Sequence, residues 1–314
     1  MANSVLNAPH FQNEEAAFAF VEANLWPNGP TCPQCGNADG KRIGRLNGQS
    51  TRIGLRKCYA CRKPFTVRVG TIFESSHLPM HLWLQIIHLM CASKKGVSTN
   101  QVQRILQCSM KTAWFLTHRI REAMKDGSLA PLGGSGGPVE VDETYIGRKV
   151  GVEKKRGGGA HKNVVVTLVE RGGSARSFHL DSATKAEVMP VLRKHLSKNA
   201  RVMTDESGIY NGVKDEFAAH RVVDHSRKEW GYTDRKTGEK VNSNTVEGFF
   251  SVFKRGMVGV YQHCSEQHLH RYLAEFDFRH SYRVKLGIDD TERAAIALWG
   301  VRGKRLTYET VAAR

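Results

Sequence analysis

The chain has no stretch approaching the roughly 18 consecutive apolar residues that a membrane span requires, so membrane-spanning classes are excluded. Its opening residues, MANSVLNAPHFQNEE, carry neither a basic start nor an apolar run, and no secretory leader is expected. Internal repeats are absent. Acids are in short supply: 30 Asp and Glu stand against 47 Lys and Arg, a formal net charge of +17. Such an excess favours a polyanionic partner, either nucleic acid or an anionic membrane surface, with a merely basic soluble protein as the competing reading. No Lys-rich amphipathic helix serves the second. What remains is an ordinary globular composition, 40% hydrophobic and 25% charged over 314 residues. At about 150 residues per domain this is two domains, or one with attachments, able to bury a core without disulfides.

Seven cysteines are present, an odd number. Four of them form two Cys-x2-Cys pairs, Cys32/Cys35 and Cys58/Cys61, with 22 residues between the pairs. Paired thiolates at this spacing suit a closed tetrahedral zinc site. The segment between them, KRIGRLNGQSTRIGLRK, reads as short strands, so a zinc ribbon is expected; redox pairs are the competing reading. Cys91, Cys108 and Cys264 fall in helical patterns and are expected to be thiols without a role. From Lys41 to Arg68 there are nine Lys or Arg and no acid. On a small metal-stapled element such a run suits phosphate contact, with Arg42, Arg56 and Lys57 as candidates.

Residues 10–25 read as an amphipathic helix. After the ribbon, residues 78–125 read as three helices: Met80–Ser93, then NQVQRILQ capped by Ser98 or Thr99, then MKTAWFLTHRIREAM capped by Ser109. The last two, joined by a short turn, resemble a helix-turn-helix. Lys111, Thr112, His118 and Arg119 are its candidate DNA-reading residues. The Gly-rich segment after Asp126 is the clearest linker. Beyond it come strands at Val139–Ile146, Asn163–Glu170 and Ser177–Leu180, a helix at Ala183–Leu196, and a strand at Arg201–Thr204. A helix at Gly208–Ala218, a strand at His220–Val223 and a helix at Asn244–Met257 complete the order βββαβαβα. That order is the one an RNase H-like fold uses. The fold class expected is therefore α/β: a mixed sheet with flanking helices, preceded by a zinc ribbon and a helix-turn-helix-like module.

In so basic a chain, acids set among apolar residues need a reason. Asp142 lies on the first of these strands and Asp205 closes the fourth, two strands expected to be neighbours. The helix from Asn244 separates into an apolar stripe (Val246, Phe249, Phe250, Phe253, Met257) and a polar one (Asn244, Glu247, Ser251, Lys254). Three carboxylates, from Asp142, Asp205 and Glu247, suit two Mg²⁺ or Mn²⁺ ions, hard cations that support attack at a phosphodiester. Lys254, on the same helix face as Glu247, suits a DNA phosphate, and Arg255 beside it is a further DNA-binding candidate.

At these residues the chain resembles the insertion-sequence DDE transposases that carry an N-terminal zinc ribbon, the ISXO-like group. The resemblance runs from about Phe18 to Arg283. It rests on WPNGPTCPQCG, GTIFESS, KTAWFLTHRIR, VEVDETYIG, TDESGIY and NTVEGFFSVFKRGMVGVYQHCSEQHLHRYLAEFDFRHSYR. It implies DNA transposition by an RNase H-like domain with a divalent metal, with Asp142 and Asp205 as the first two acids. Asn244 and Glu247 compete for the third position, and Glu247 is preferred because a carboxylate binds Mg²⁺ better than an amide. His225 matches a further family position, with a DNA-end or site-supporting role. Two positions depart from the pattern: Asn242, where His is frequent, and Ser281, where Asn is common. The organisation expected is an N-terminal helix (1–28), zinc ribbon (29–70), helix-turn-helix-like module (76–126), linker (127–138), catalytic domain (139–285) and basic tail (286–314). The implied partners are terminal inverted repeats and target DNA, with a dimer or higher oligomer in the synaptic complex. The implied setting is the cytoplasm of a bacterium, at the nucleoid. The competing functions are a decayed DNA-binding regulator and an RNase H-like nuclease.

Overall fold

The computed structural model describes residues 4–125, 130–154, 159–235 and 237–306. Parts of the expected linker (127–129), of the basic loop after Lys154 (155–158) and of the expected tail (307–314) lie outside the described residues. The chain divides into two compact units, residues 1–125 with 288–314, and residues 126–287.

The first unit begins with α1 (Pro9–Gln12) and α2 (Glu14–Leu25). Asn13 breaks between them and caps α2 by accepting the Ala16 N–H. The antiparallel strands β1 (Ile43–Arg45), β2 (Arg56–Cys58) and β3 (Pro64–Phe65) form the ribbon. Three helices follow: α3 (Met80–Ala92), α4 (Thr99–Leu106) and α5 (Met110–Met124). Ser98 caps α4 in a reciprocal box with Gln101, and Ser109 caps α5. Between α4 and α5, Gln107 takes a left-handed conformation that turns the chain. Cys108 and Cys264 lie outside helices, in a turn and a loop.

The second unit holds β4 (Pro138–Ile146), β5 (Asn163–Glu170), β6 (Ala175–Leu180), α6 (Lys185–His195), β7 (Arg201–Asp205) and β8 (Ala219–Val223). A small hairpin, β9 (Tyr232–Thr233) and β10 (Lys240–Val241), precedes α7 (Asn244–Gly256) and α8 (Leu269–Ser281). The five-stranded sheet has the order β6-β5-β4-β7-β8. The pairs β4/β5 and β5/β6 are antiparallel, whereas β7 runs parallel to β4 and β8 parallel to β7. This is the RNase H-like arrangement the element order implied.

Both faces of the sheet are covered. On one, Val139, Val141, Val164, Val166, Leu168 and Val202 pack with α6, Tyr210 and Phe217. On the other, Val165, Val169 and Ala175 meet the apolar stripe of α7 and the inner face of α8. A strand covered on both sides reads as a continuous apolar run, which is why Asn163–Glu170 does.

Other expectations change as well. Gly208–Ala218 forms two single 3₁₀ turns, Gly208–Tyr210 and Val213–Asp215, rather than a helix; Gly212 between them sits at φ 100°, which no helix continues through. Residues 130–138 are not a free linker. Leu132 is buried and exchanges backbone bonds with His195 and Ser197, and Gly133, at φ +73°, lies so close to Ala200 that a Cβ would stand 2.5 Å from that methyl. The glycine there serves close approach as well as turning. In the segment expected as a basic tail, the run ERAAIALWG, which reads as a short helix, falls on α9 (Asp290–Trp299), capped by Asp289 and packed on α3 within the first unit; Arg293 on it donates to the Cys91 carbonyl at 2.8 Å.

Asp277 on α8 accepts from the Ser177 N–H at 2.8 Å and from its hydroxyl at 2.6 Å, tying the helix to β6. Burial pushes this carboxyl up to about 7, although those two bonds and Arg176 act to lower it. In an unfolded chain it titrates near 4. Between those values the folded state keeps a proton that the unfolded state has lost. The group's stabilising contribution is therefore complete below about pH 4 and is lost as pH rises through about 7. Asp277→Asn keeps an acceptor for Ser177 and should gain on wild type, by roughly 1–3 kcal/mol, between pH 5 and pH 8. Urea unfolding at each pH measures this, and a difference indifferent to pH would refute it.

Candidate metal and nucleic-acid sites

In the ribbon, the backbone brings the two cysteine pairs together. Cys32 and Cys61 Sγ are 3.7 Å apart, as are Cys35 and Cys58, and all four sulfurs lie within 4.8 Å of one another. Four thiolates about 2.3 Å from a central zinc stand about 3.8 Å apart at tetrahedral angles. The donor set and its spacing thus fit a structural zinc. The Cys61 N–H, foremost, and the Ala60 N–H hold the Cys58 thiol down to about 7, favouring the thiolate that a metal needs. No disulfide joins these cysteines. Their apolar support is slight, with Ile43 and Phe65 the buried residues beside Cys32 and Cys58.

The basic candidates of the first unit part ways. Arg42 and Lys111 are exposed, as is Thr112, whose hydroxyl meets Ser109 Oγ at 2.9 Å. Lys57 is half-buried against the Tyr59 ring. Arg56 is engaged by protein: it pairs with Glu22 at 2.7 Å and lies over Trp26. Arg119 is corrected outright. It is 6% exposed, and its guanidinium donates to the carbonyls of Ile72, Glu74 and Leu306 while stacking on Phe115. A buried arginine committed to three carbonyls is structural, and His118, wholly buried against Trp114, does not face a groove either.

In the second unit the parallel register pairs Val139 with Val202 and Glu140 with Met203. Two residues further along both strands stand Asp142 and Asp205, so the two carboxylates sit side by side at the same end of the sheet. Alternation along β4 sends Val139 and Val141 to one face and Glu140 and Asp142 to the face covered by α7. On α7, Val246, Phe249, Phe250, Phe253 and Met257 are buried; Asn244, Glu247, Ser251, Lys254 and Arg255 are exposed. Burial first, then the charges of Glu143, Asp205 and Glu247, push the Asp142 carboxyl up to about 7. Burial likewise raises Asp205, while the nearby His225 acts to lower it. An all-oxygen set in which Asp205 and Glu247 add to the raising of Asp142 is the donor chemistry that divalent magnesium or manganese suits. Among the described residues, the acids are not drawn as close together as the four sulfurs are.

His225 stands between the acids. Its Nε2 is 3.7 Å from Glu247 and 3.4 Å from Ser243 Oγ, which itself donates to Glu247 at 2.5 Å. The exposed indole of Trp230 lies 5.6 Å from the His225 ring. Glu206 holds the turn, accepting the His225 and Ser226 N–H groups. Sequence reasoning missed Glu143, which accepts a 2.6 Å bond from the buried Tyr210 hydroxyl, and also Ser243 and Trp230. Adjacency to Asp142 was the one signal for Glu143.

Paired carboxylates on neighbouring parallel strands, a third acid on a helix across that face and, in the other unit, a four-cysteine ribbon are the arrangement that the resemblance to zinc-ribbon DDE transposases implies. Residues 134–281 match the ISXO2-like transposase domain, and residues 12–64 match the transposase zinc-ribbon domain. The chain thus carries both parts of the resemblance seen in its sequence. It is also 26% identical over 296 residues to an uncharacterized protein in transposable element ISH50 of Halobacterium salinarum, covering 88% of this chain and 94% of that one. Among the described residues, no helix is long and apolar enough to cross a membrane.

With so little apolar support, the ribbon should depend on its metal. The purified chain is expected to hold one zinc. Chelation, or Cys58→Ser, should open residues 29–70 to limited proteolysis while residues 139–285 stay resistant. A metal-free ribbon that remains protected would count against zinc as its staple.

Proposed function

We propose that the chain is an insertion-sequence transposase that binds the terminal inverted repeats of its element, cuts to free 3′-hydroxyl ends and joins them to target DNA. The observation that carries this reading is the side-by-side placement of Asp142 and Asp205 on parallel strands, facing the helix that bears Glu247. These three residues would hold Mg²⁺ or Mn²⁺. When bound, a pair of such ions supplies activation of the attacking oxygen and stabilisation of the leaving oxygen at a phosphodiester.

The chain's own residues do the rest. Lys254 and Arg255, exposed on the polar side of α7, hold DNA phosphates flanking the cut. His225, between Asp205 and Glu247, orients the third acid and supports the DNA end. Asn244 is exposed at the first position of α7 and is the competing ligand. In the other unit, Arg42, Lys57 and Lys111 contact backbone phosphates, with Lys111 and Thr112 at the exposed start of the second helix of the helix-turn-helix-like pair. Joining two ends to one target calls for at least a dimer, and the site of action is the cell's DNA.

A strand-transfer assay with duplexes from the element's ends, in Mg²⁺ or Mn²⁺, tests the reading. Asp142→Asn should lower cleavage at least about 100-fold and leave end binding intact. Glu247→Ala should do the same and Asn244→Ala should not; the reverse pattern moves the third ligand to the amide. Cleavage that survives in Asp142→Asn would sink the assignment, and specific end binding without joining in wild type would make the chain a DNA-binding regulator.

A further inference from the structure

Glu140 is fully buried, at 0% exposure, between Val139 and Val141, where an apolar residue would cost far less. Three of its four hydrogen bonds come from one place. Its Oε2 accepts the N–H of Thr245 at 2.7 Å and of Val246 at 2.9 Å; its Oε1 accepts the Thr245 hydroxyl at 2.9 Å. Those amides belong to the first turn of α7, and Glu247 is the next residue. Behind the carboxylate, Arg171 donates Nε to Glu140 at 2.6 Å. The same guanidinium reaches Asn242 O at 2.8 Å and Oδ1 at 2.9 Å, and also the Lys240 carbonyl. Asn242 Oδ1 in turn accepts the Asn244 N–H.

The local sequence supplies α7 with a serine at its N-cap, but Ser243 does not cap: its hydroxyl goes to Glu247. The free amides of a helix start need acceptors, and a carboxylate there is favoured by the helix dipole. Here the acceptor comes from a strand 105 residues earlier in the chain. Glu140 and Asp142 are two residues apart on one strand face, about 7 Å along β4. The bonds that complete α7 are therefore also the bonds that register Glu247 against Asp142.

We propose that Glu140, backed by Arg171 and Asn242, is a positioning residue: it clamps the first turn of α7 to β4 and so sets where the third acid stands relative to the first. This rests on the transposase reading for its consequence, but the clamp itself can be tested without catalysis. Residues that orient metal ligands without touching the metal commonly change affinity by roughly 10–100-fold when substituted.

The test uses the full-length, zinc-loaded protein. Glu140→Gln, which removes the charge facing Arg171, should speed hydrogen exchange at the Thr245 and Val246 amides and leave α8 unchanged. It should also raise the Mn²⁺ concentration that half-saturates the site, read by water-proton relaxation, roughly 10-fold. End-duplex binding should stay at the wild-type level. High Mn²⁺ should restore strand transfer to Glu140→Gln and not to Asp142→Asn. Should Glu140→Gln fail to fold, Asn242→Ala, which removes only the outer acceptor, should show the same changes in smaller measure. Unchanged exchange at Thr245 and Val246, or unchanged Mn²⁺ half-saturation, in a folded variant overturns the proposal. Equal Mn²⁺ binding by wild type and Asp142→Asn would instead refute the metal-site reading, while the exchange arm would still decide the clamp.

Discussion

The structure of the second unit hangs on β4. It pairs antiparallel with β5 on one side and parallel with β7 on the other, and it is the strand where the sheet changes sense. A parallel neighbour requires a crossover, which α6 supplies, and the crossover puts the C-terminal ends of β4 and β7 together. Asp142 and Asp205 stand at those ends. The period of two along the strand then commits Val139 and Val141 to the α6 layer and Glu140 and Asp142 to the α7 layer. A slip of one residue in this strand would bury the acids among the valines of the other layer, so the core and the site fix the same register.

The first unit solves a different problem. In its ribbon the strands are two or three residues long and the apolar cluster is small, so four sulfurs stand in for a core there. Its helices close on one another through buried cations. Arg119 reaches the Ile72, Glu74 and Leu306 carbonyls, and Arg293 on α9 reaches the Cys91 carbonyl at the end of α3. Positive charge in this chain is therefore not all available to DNA. Some of it is committed to backbone carbonyls, in turns and loops (Ile72, Glu74, Leu306) and at the end of α3 (Cys91).

Legibility in the sequence followed the range of the interaction. Periodic signals were readable: the α7 stripe is buried residue for residue, the strands fall within one or two residues of their expected bounds, and the sheet order follows from element order. The Cys-x2-Cys spacing likewise announced the sulfur cluster. What escaped depended on partners distant in the chain. Arg119 has the look of a groove-reading residue until Leu306 and Ile72 are seen to claim it. Glu140 passes for one more surface acid, because its acceptor role is set by α7, and α7 is set by its own hydrophobic stripe. The β9/β10 hairpin carries too few residues to show alternation, and Gly212 hides the broken crossover inside an otherwise helical composition. Asn242 and Ser281, which departed from the family pattern, both have work in this structure: Asn242 serves the start of α7, and Ser281 Oγ accepts the Ala175 N–H at the start of β6.

The charge distribution bears on why the proposed reaction would call for cations. A chain of +17 gathers Asp142, Glu143, Asp205, Glu206 and Glu247 around the C-terminal ends of two strands. Left to themselves, these acids would repel a phosphodiester, by about 4 kcal/mol for each pair of full charges at 4 Å in a surface-like dielectric. On that reading Lys254 and Arg255, on the exposed side of α7, would attract the flanking phosphates but would not cancel a carboxylate cluster nearer the reacting phosphate. The raised Asp142 marks the same strain from the protein's side, since protonation is one way to relieve it and a divalent cation is the other. Protonation would leave a neutral acid with nothing to offer a leaving oxygen. A bound cation would reverse the sign of the local field and turn a patch hostile to DNA into one that a basic protein could bring to bear on it. On the proposed reading the burial of Asp142 and the clamp at Glu140 serve one end: they would hold the acids where a divalent metal satisfies them.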